Sequence, residues 1–340
     1  MKILFVGSTQ DSSTSVYYFT HLKAQGHEVL AWEPGYFRTQ NVFQNVWQRL
    51  RKGPSPHKVR TLNQTLLSLC KTHRFDLVFV MGENFVTREI QEEIRGAVKP
   101  SPRFLFHSHD NLFAPGILKP RGFEQDLAAY DIAFTTKSQN VERYHALGQK
   151  NAHYIPSAFE PAVHRPVTAA ESRLPKMPVV SFIGTYDRSR HSWLEFAGWE
   201  RLSVWGNGWE RFPHYEHLRQ QIHPFAIYGF EFADVCSQSA CSLGLLREEA
   251  QDRHTQRTFE IPACGSLQFA PRNDEIAGFF EDGKEIVLFD SPEELRDKID
   301  YYLEHPEQRQ RLAEAGHRRC LEGHHTYADR TAQMLKLLSQ

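Results

Sequence analysis

The chain has 340 residues, 40 of them basic and 41 acidic, which gives a formal net charge of -1. Because a single hydrophobic core rarely grows beyond about 250–300 residues, this length predicts two domains. A chain so close to neutral has no overall field that would attract a nucleic-acid backbone or an anionic membrane, so we expect neither as a partner. Any phosphate must be bound by a local group of charges.

The five cysteines form no CxxC pair and are odd in number, which indicates a reducing compartment and not a disulfide framework. We expect them to be buried as small apolar residues. The apolar run that opens the chain is too short for a signal peptide, and no run approaches the roughly 18 apolar residues of a membrane span. The sequence therefore predicts a cytoplasmic protein with no transmembrane segment.

Short apolar runs alternate with helical patterns in the first half of the chain. The run from Lys2 to Val6 is followed by Gly7-Ser8, by a helical pattern that ends at Gly26, and by a second apolar run at 28–32. Further strands are predicted at 77–81, 104–107, 132–135 and 153–155, and helices at 61–72, 87–95 and 139–147. This alternation favours a parallel, doubly wound sheet.

A proline-rich stretch separates the two halves. Prolines fall at positions 156, 161, 166, 175 and 178, in a segment without sustained periodicity, which is typical of a linker. Beyond it, strands are predicted at 179–183, 203–205, 225–228, 242–246, 266–269 and 285–289. Helices are predicted at 191–198, 232–239 and 258–263, and three charged amphipathic helices follow at 292–304, 306–322 and 327–338.

The predicted fold class is therefore α/β, with two doubly wound Rossmann-like domains that face each other across a cleft. We place the N-terminal domain at 1–160, the linker at 161–178, the C-terminal domain at 179–322 and a last helix, packed back at the domain junction, at 323–340. Ligands of such sheets bind at the carboxyl ends of the strands. Two such edges across a cleft are typical of an enzyme with two substrates.

The residues from Arg253 to Ser266 are the strongest candidate for a binding site. Arg257 precedes a short predicted helix, so its side chain and the unpaired N–H groups of the helix start would together hold a diphosphate. Glu260 lies one turn further on, where its carboxylate would accept both hydroxyls of a ribose. Removal of Glu260 is predicted to weaken nucleotide binding with little effect on folding. Gly265 is expected to end the helix in the left-handed conformation.

This segment resembles a family of enzymes. The resemblance rests on two runs, RTFEIPACGSLQFA and EIAGFFEDGKEIVLFDSPEELRDKIDYYLEHPEQRQRLAEAGHRR. They look like the C-terminal domain of GT-B glycosyltransferases, most closely the CgeB-like or spore-maturation-protein-like group. The resemblance covers about 179–330 and is strongest over 257–316. It implies a donor site in the C-terminal domain, an acceptor side in the N-terminal domain, and a nucleoside diphosphate-sugar as co-substrate with no other cofactor.

The resemblance also assigns roles within the segment. Many GT-B enzymes have a Glu-x7-Glu motif here, whose second acid contacts the donor ribose. Glu260 occupies the second position, and Asp252, a shorter acid, occupies the first. Whether transfer retains or inverts the anomeric configuration therefore stays open. Arg253, Arg257 and Thr258 complete the donor residues of this segment.

The loop after the first strand of the C-terminal domain is a second candidate for the donor site. Gly184 and Thr185 end an apolar run, and Arg188 and Arg190 precede the next helix. Such a loop at a strand end is a plausible phosphate-binding element. Its alternative interpretation is an ordinary turn with two solvated arginines, which many α/β proteins contain.

Two further turns complete the predicted donor site. Gly208 and Trp209 lie in a glycine-rich turn, where the backbone would approach a ligand and the ring would flank a base or a sugar. An alternative is that Trp209 covers the core. Tyr228, Gly229 and Phe230 end the next predicted strand, at the position where related enzymes hold the nucleobase by main-chain groups. Side chains there do not identify the base.

The catalytic candidates are Asp110, His109 and Glu83, each of which follows a predicted strand of the N-terminal domain. One of them would accept the proton of the acceptor hydroxyl. No metal ligand is predicted, because His107 and His109 lack evident partners of the kind that hydrolases need, and this fold class commonly works without a metal.

We therefore expect metal-independent transfer of a sugar from a nucleoside diphosphate-sugar to a hydroxyl of a glycan, a protein or a small molecule, as in bacterial glycan or cell-surface biosynthesis. One alternative is a sugar-nucleotide epimerase or hydrolase on the same fold. Another is a non-catalytic binding protein associated with an envelope or a coat. The sugar, the base and the oligomeric state stay open.

Overall fold

The computed structural model describes residues 1–11, 13–34, 55–82, 85–115 and 122–340. Contacts divide the chain into two compact units, Met1–Pro156 with Arg330–Gln340, and Ser157–Asp329. Each unit contains one parallel six-stranded sheet with helices between the strands, which confirms the predicted α/β class with two Rossmann-like domains. In these ranges no helix is long and apolar enough to cross a membrane.

The first unit alternates strands and helices along the chain. Its elements are β1 (Lys2–Val6), α1 (Ser15–Ala24), β2 (Glu28–Trp32), α2 (Pro56–His73), β3 (Leu77–Met81), α3 (Arg88–Ala97), β4 (Arg103–Ser108), α4 (Phe123–Ala128), β5 (Ile132–Thr135), α5 (Ser138–Ala146) and β6 (Ala152–Tyr154). The sheet order is β2-β1-β3-β4-β5-β6. The predicted strands agree with the observed ones to within a residue or so at each end.

The strands of this sheet could be predicted from the sequence because they are buried. All residues of β3 are buried, because helices cover both faces of a parallel sheet and the strand is therefore an unbroken apolar run. The helices begin at polar caps. The hydroxyl of Thr87 accepts the N–H of Ile90 at the start of α3, and that of Ser55 accepts the N–H of Lys58 in α2.

The second unit repeats the pattern. Its elements are β7 (Met177–Ile183), α6 (Arg188–Ala197), β8 (Leu202–Trp205), β9 (Ile222–His223), α7 (Gly229–Gln238), β10 (Ser239–Leu243), α8 (Arg257–Ala263), β11 (Gln268–Pro271), α9 (Asp274–Phe279), β12 (Val287–Phe289), α10 (Pro292–Glu304) and α11 (Pro306–Glu322). The sheet order is β12-β11-β10-β7-β8-β9. A last helix, α12 (Tyr327–Leu338), begins in this unit, and its residues from Arg330 belong to the first.

Two predicted strands of the second unit differ from the observed ones. Residues 225–228 do not pair, and the edge strand is instead Ile222–His223. Pro224 follows that strand and has no N–H to continue the ladder, so the chain turns there. The strand predicted at 242–246 is Ser239–Leu243. Its serines are polar but buried, and this concealed the start of the strand.

The buried hydroxyls of this strand have partners. That of Ser239 donates to the carbonyl of Val235 at 2.7 Å, and that of Ser242 lies between two other hydroxyls. The Oγ atoms of Ser181 and Ser242 lie 2.8 Å apart, and those of Ser242 and Ser266 also lie 2.8 Å apart. The hydroxyl of Ser242 can therefore donate to one neighbour and accept from the other, and those of Ser181 and Ser266 each have Ser242 as a partner. All five cysteines are free and buried, as predicted. Burial raises the pKa of the Cys70 and Cys241 thiols to about 12.

Candidate functional site

The strand order of the second unit reverses between β7 and β10. At such a reversal the loops that leave the two neighbouring strands diverge, and a crevice opens at their carboxyl ends. Residues 184–187 follow β7, and residues 244–256 follow β10 and lead into α8. The two strongest predicted donor segments therefore lie at adjacent strand ends.

Arg257 and Glu260 form an ion pair on the first turn of α8. The Glu260 carboxylate is 4% exposed, whereas the Arg257 side chain is 30% exposed. The guanidinium also lies 4.0 Å from the centre of the Phe232 ring, in a cation–π contact. Arg257 therefore covers Glu260 and still presents charge to solvent. Because this carboxylate is buried and paired, we expect its removal to lower the stability of the fold as well as nucleotide binding.

His164 contacts the other oxygen of the same carboxylate, and no local pattern in the sequence predicts this contact. Its Nδ1 accepts the N–H of Glu160 at 2.9 Å, and its Nε2 lies 3.4 Å from Oε1 of Glu260. Burial lowers the pKa of His164, and although the charge of Glu260 raises it, the net direction is downward. The neutral ring therefore has its proton on Nε2, where it donates to Glu260.

Arg190 lies beneath the loop after β7. It is 7% exposed, and its guanidinium donates to the carbonyls of Thr185 at 3.0 Å and Leu245 at 3.2 Å. These bonds join the loops that follow β7 and β10. Arg190 is thus a buried support of the loop and not a solvated phosphate ligand. Burial is the main cause that lowers its pKa to about 10, which leaves it charged at neutral pH.

Four other charged side chains act electrostatically on Arg190, namely those of Asp187, Arg247, Asp252 and Arg257. The Nε of Arg247 lies 3.3 Å from Oδ2 of Asp252, whose side chain is fully buried, while the Arg247 side chain is 46% exposed. The structure therefore brings Asp252, Arg190 and Arg257 together as the sequence predicted. Arg247 belongs to the same group of charges. It was not among the predicted site residues, although it directly follows the strand predicted at 242–246.

The start of α8 differs from the prediction of unpaired N–H groups. The N–H groups of Phe259 and Glu260 both donate to the carbonyl of Gln256 at 2.9 Å, and that of Thr258 donates to Thr255 at 3.1 Å. Thr258 is also buried, and its hydroxyl accepts the N–H of Thr255. A phosphate at this position would therefore be bound by side chains.

The outer parts of the predicted donor site are accessible. Thr185, Arg188 and Arg253 are exposed, and Gly184 is half-buried. A side chain at Gly184 would meet the Phe182 ring at 2.8 Å and the Arg190 guanidinium at 3.1 Å, so only glycine fits between them. Gly265 has a φ of +74°, which confirms the predicted left-handed end of α8.

Trp209 lies in the core and not beside a ligand. It is 0% exposed, and its Nε1 donates to the Gly184 carbonyl at 2.9 Å. The prediction that its ring flanks a base or a sugar is therefore wrong, and its role is to hold the loop after β7. Gly208, with a φ of +85°, is buried at the start of the short 3-10 turn Trp209–Arg211. That turn needs glycine for conformational reasons.

Tyr228, Gly229 and Phe230 lie at the start of α7 and not at the end of a strand. Tyr228 is 49% exposed, and Phe225 three residues earlier is 52% exposed. The Trp205 ring, at the end of β8, makes an edge contact with Phe225, with 5.5 Å between centres. Exposed aromatic rings and main-chain groups therefore remain available near this turn.

The first unit holds the predicted catalytic residues that the structure describes. Asp110 is exposed beyond the end of β4, and His109 is half-buried with its ring centre 4.7 Å from that of His107. The two histidine rings are therefore in contact. Glu83 lies outside the described residues. Among those that are described, no three His, Cys, Asp or Glu side chains converge as metal ligands would.

His107 is the most perturbed histidine in this unit. It is 0% exposed, and its Nε2 lies 3.2 Å from the hydroxyl of Tyr18. Burial lowers its pKa to about 3. Tyr18 contacts both histidines, with ring centres 5.1 and 5.7 Å away. His107 is therefore a neutral core residue whose ring packs against that of His109.

A pH-dependent loss of stability follows for His107. Between pH 6.5 and 3 the unfolded chain binds a proton that the folded chain excludes, so stability is complete above pH 6.5 and falls as the pH decreases. From pH 6.5 to 5.0 we expect a loss of about 2 kcal/mol from this residue. Urea unfolding of His107→Gln, which cannot titrate, should depend less on pH. Equal slopes for both proteins would contradict the assignment.

Residues 188–336 match a family described as glycosyl transferase-like, which is less than half of the chain. No curated protein sequence matches the chain.

Solved structures match over both units. Sucrose-phosphate synthase from Thermosynechococcus elongatus matches with a TM-score of 0.71 and 13% identity, over 100% of this chain and 98% of its own. Anabaena Alr3699/HepE, solved in complex with UDP, matches with a TM-score of 0.67 and 13% identity over 100% of both chains. The UDP-forming trehalose-phosphate synthase from Burkholderia vietnamiensis matches with a TM-score of 0.68 and 12% identity over 100% of both. The chain therefore has the two-domain α/β fold of GT-B glycosyltransferases, with a glycosyl transferase-like sequence over residues 188–336.

Proposed function

We propose that this protein transfers a sugar from a nucleoside diphosphate-sugar to a hydroxyl acceptor, as a GT-B glycosyltransferase of the CgeB-like group. The proposal rests on the group of Arg190, Arg247, Arg257 and Glu260 where the loops after β7 and β10 diverge. A diphosphate is the ligand that such arginines favour, and a carboxylate beside them suits a ribose. The fold neighbour HepE, which was solved with UDP and with UDP-glucose, makes UDP the first nucleotide to test.

The Arg257–Glu260 pair suggests the order of steps by which the donor binds. Without a ligand, the guanidinium bonds to the buried carboxylate. An incoming diphosphate has more charge and more acceptor oxygens than a carboxylate, so it competes for the same N–H groups. When Arg257 turns to the diphosphate, Oε2 of Glu260 becomes free for a ribose hydroxyl, while Oε1 stays bonded to His164.

The chemistry needs positive charge where the leaving diphosphate develops its negative charge. Arg257 and the half-exposed Arg247 supply it in contact with the ligand, and buried Arg190 adds a fixed charge below the loop. Such preorganised charges lower the barrier because they do not reorient during the reaction. The acceptor loses its proton to Asp110, His109 or Glu83 in this proposal, and the acceptor is a glycan, a protein or a small molecule.

Nucleotide binding by the whole chain is the first test. We expect UDP, or another nucleoside diphosphate, to raise the unfolding temperature, since a ligand that prefers the folded state stabilises it. If no nucleoside diphosphate binds, the proposal is overturned. Turnover with the matching UDP-sugar, with and without a chelator, then tests the reaction. Rapid donor breakdown without an acceptor would indicate a hydrolase, isomerised donor an epimerase, and binding without turnover a non-catalytic protein.

A further inference from the structure

A cavity lies at the amino ends of the strands in the sheet of the second unit, opposite the strand ends that carry the candidate donor site. Its volume is about 510 Å³, and its lining includes Met177 at the start of β7 and Ser239 at the start of β10. These are the amino ends of the two strands whose carboxyl ends carry the candidate donor site. The cavity is therefore separate from that site, and its volume lies within the roughly 300–1,000 Å³ of small-molecule pockets.

The cavity has two positive charges and no negative one among the described side chains that line it. Lys176 donates to the carbonyl of Ser237 at 2.7 Å, and Arg309 donates to that of Tyr302 at 2.7 Å. Carbonyl partners orient these cations without neutralising their charge. The hydrogen bonds that the structure describes for these two side chains all go to carbonyls.

The acids nearest in sequence to the lining are already bonded elsewhere. Asp234 accepts hydrogen bonds from Ser172 at 2.5 Å and from the N–H of Arg173 at 2.9 Å, besides one from Gln238. Glu314 is exposed and accepts from Gln310. Neither acid lines the cavity. The cavity lining therefore combines two positive charges with hydroxyl and amide groups, and the Glu314 carboxylate lies beside it at Gln310.

We infer that this cavity binds a small phosphorylated solute of about the size of a hexose monophosphate, at a site distinct from the donor site. The ammonium of Lys176 and the planar guanidinium of Arg309 suit the dianionic phosphate. Ser237, Ser239 and Gln310 also line the cavity. Their side chains donate to the carbonyls of Cys264 and Val235 and to Glu314, and the remaining lone pairs of their oxygens suit the hydroxyls of the solute. The inference does not depend on the proposed transfer reaction.

Calorimetry on the full chain with glucose 6-phosphate tests this site, with glucose as the neutral control probe. We expect the phosphate ester to bind and glucose not to bind. Lys176→Glu changes an exposed side chain and should therefore preserve the fold while weakening the phosphate ester at least about ten-fold. Arg309→Gln should weaken it similarly, with thermal unfolding measured as a check on its fold.

Arg257→Ala is the matched control, because it removes a cation at the other edge of the sheet. It should leave glucose 6-phosphate binding within about two-fold of the parent protein. The inference fails if the parent protein does not bind glucose 6-phosphate, or if Lys176→Glu leaves binding unchanged. It also fails if Arg257→Ala abolishes binding, since the phosphate would then occupy the donor site. Binding of UDP is read separately, so failure of one site does not imply failure of the other.

Discussion

Replacement of Arg257 by alanine is expected to lower the turnover of the nucleotide-sugar about 100-fold or more. The guanidinium is accessible to solvent, as that of Arg247 is, and it is the one that pairs with Glu260. Without it, the leaving diphosphate loses a charge-assisted partner, and binding of the nucleoside diphosphate weakens as well. Calorimetry with the free nucleotide and steady-state turnover of the sugar nucleotide measure these two losses separately.

Arg257→Lys and Arg296→Ala are the comparison variants. Lysine keeps the charge but not the planar fork, so it should recover only part of the activity. Arg296 is exposed on α10, and its removal should change neither binding nor turnover. Arg257→Ala also leaves the buried Glu260 carboxylate without one partner, so its unfolding temperature should decrease. A lower unfolding temperature with unchanged nucleotide affinity would show that Arg257 is structural only, and the donor assignment would be withdrawn.

Much of the fold was predictable because each strand of a covered parallel sheet is a short apolar run between turns. The long helices were equally clear, and α10, α11 and α12 have the predicted bounds. The local sequence pattern predicted wrong strand bounds where contacts between distant residues determine the structure. Residues 225–228 are apolar, yet the ladder stops at Pro224. The start of β10 is polar, yet its serines are buried and hydrogen-bonded, Ser239 to the carbonyl of Val235 and Ser242 to Ser181 and Ser266.

The site was predictable to the extent that its residues are close in sequence. Arg257 and Glu260 are one helical turn apart, so their pairing follows from spacing alone. Exposure did not follow from the sequence, and this is why Trp209 and Arg190 were predicted as ligand contacts although both are buried. His164 lies 96 residues before Glu260, in a segment that resembled a linker. No local pattern indicates a contact of that kind.

Glu260 offers the sharpest test of ribose recognition. If its carboxylate accepts a ribose hydroxyl, deoxygenation of the ribose and removal of the carboxylate remove the same interaction. We expect 2′-deoxy or 3′-deoxy UDP to bind the parent protein about 10- to 100-fold more weakly than UDP. Glu260→Gln should weaken UDP similarly but should no longer distinguish UDP from the deoxy nucleotides, since effects on one interaction are not additive.

His164 is a positioning residue for the same preference for UDP over its deoxy forms. Its Nε2–H fixes Oε1 of Glu260, so His164→Ala should reduce the preference for UDP over its deoxy forms several-fold. His164→Gln, whose amide nitrogen reaches a similar position, should restore part of that preference. A purely structural His164 would lower stability and leave the preference unchanged. If Glu260→Gln retains the full preference, the ribose is held elsewhere, and the buried carboxylate serves only to orient Arg257.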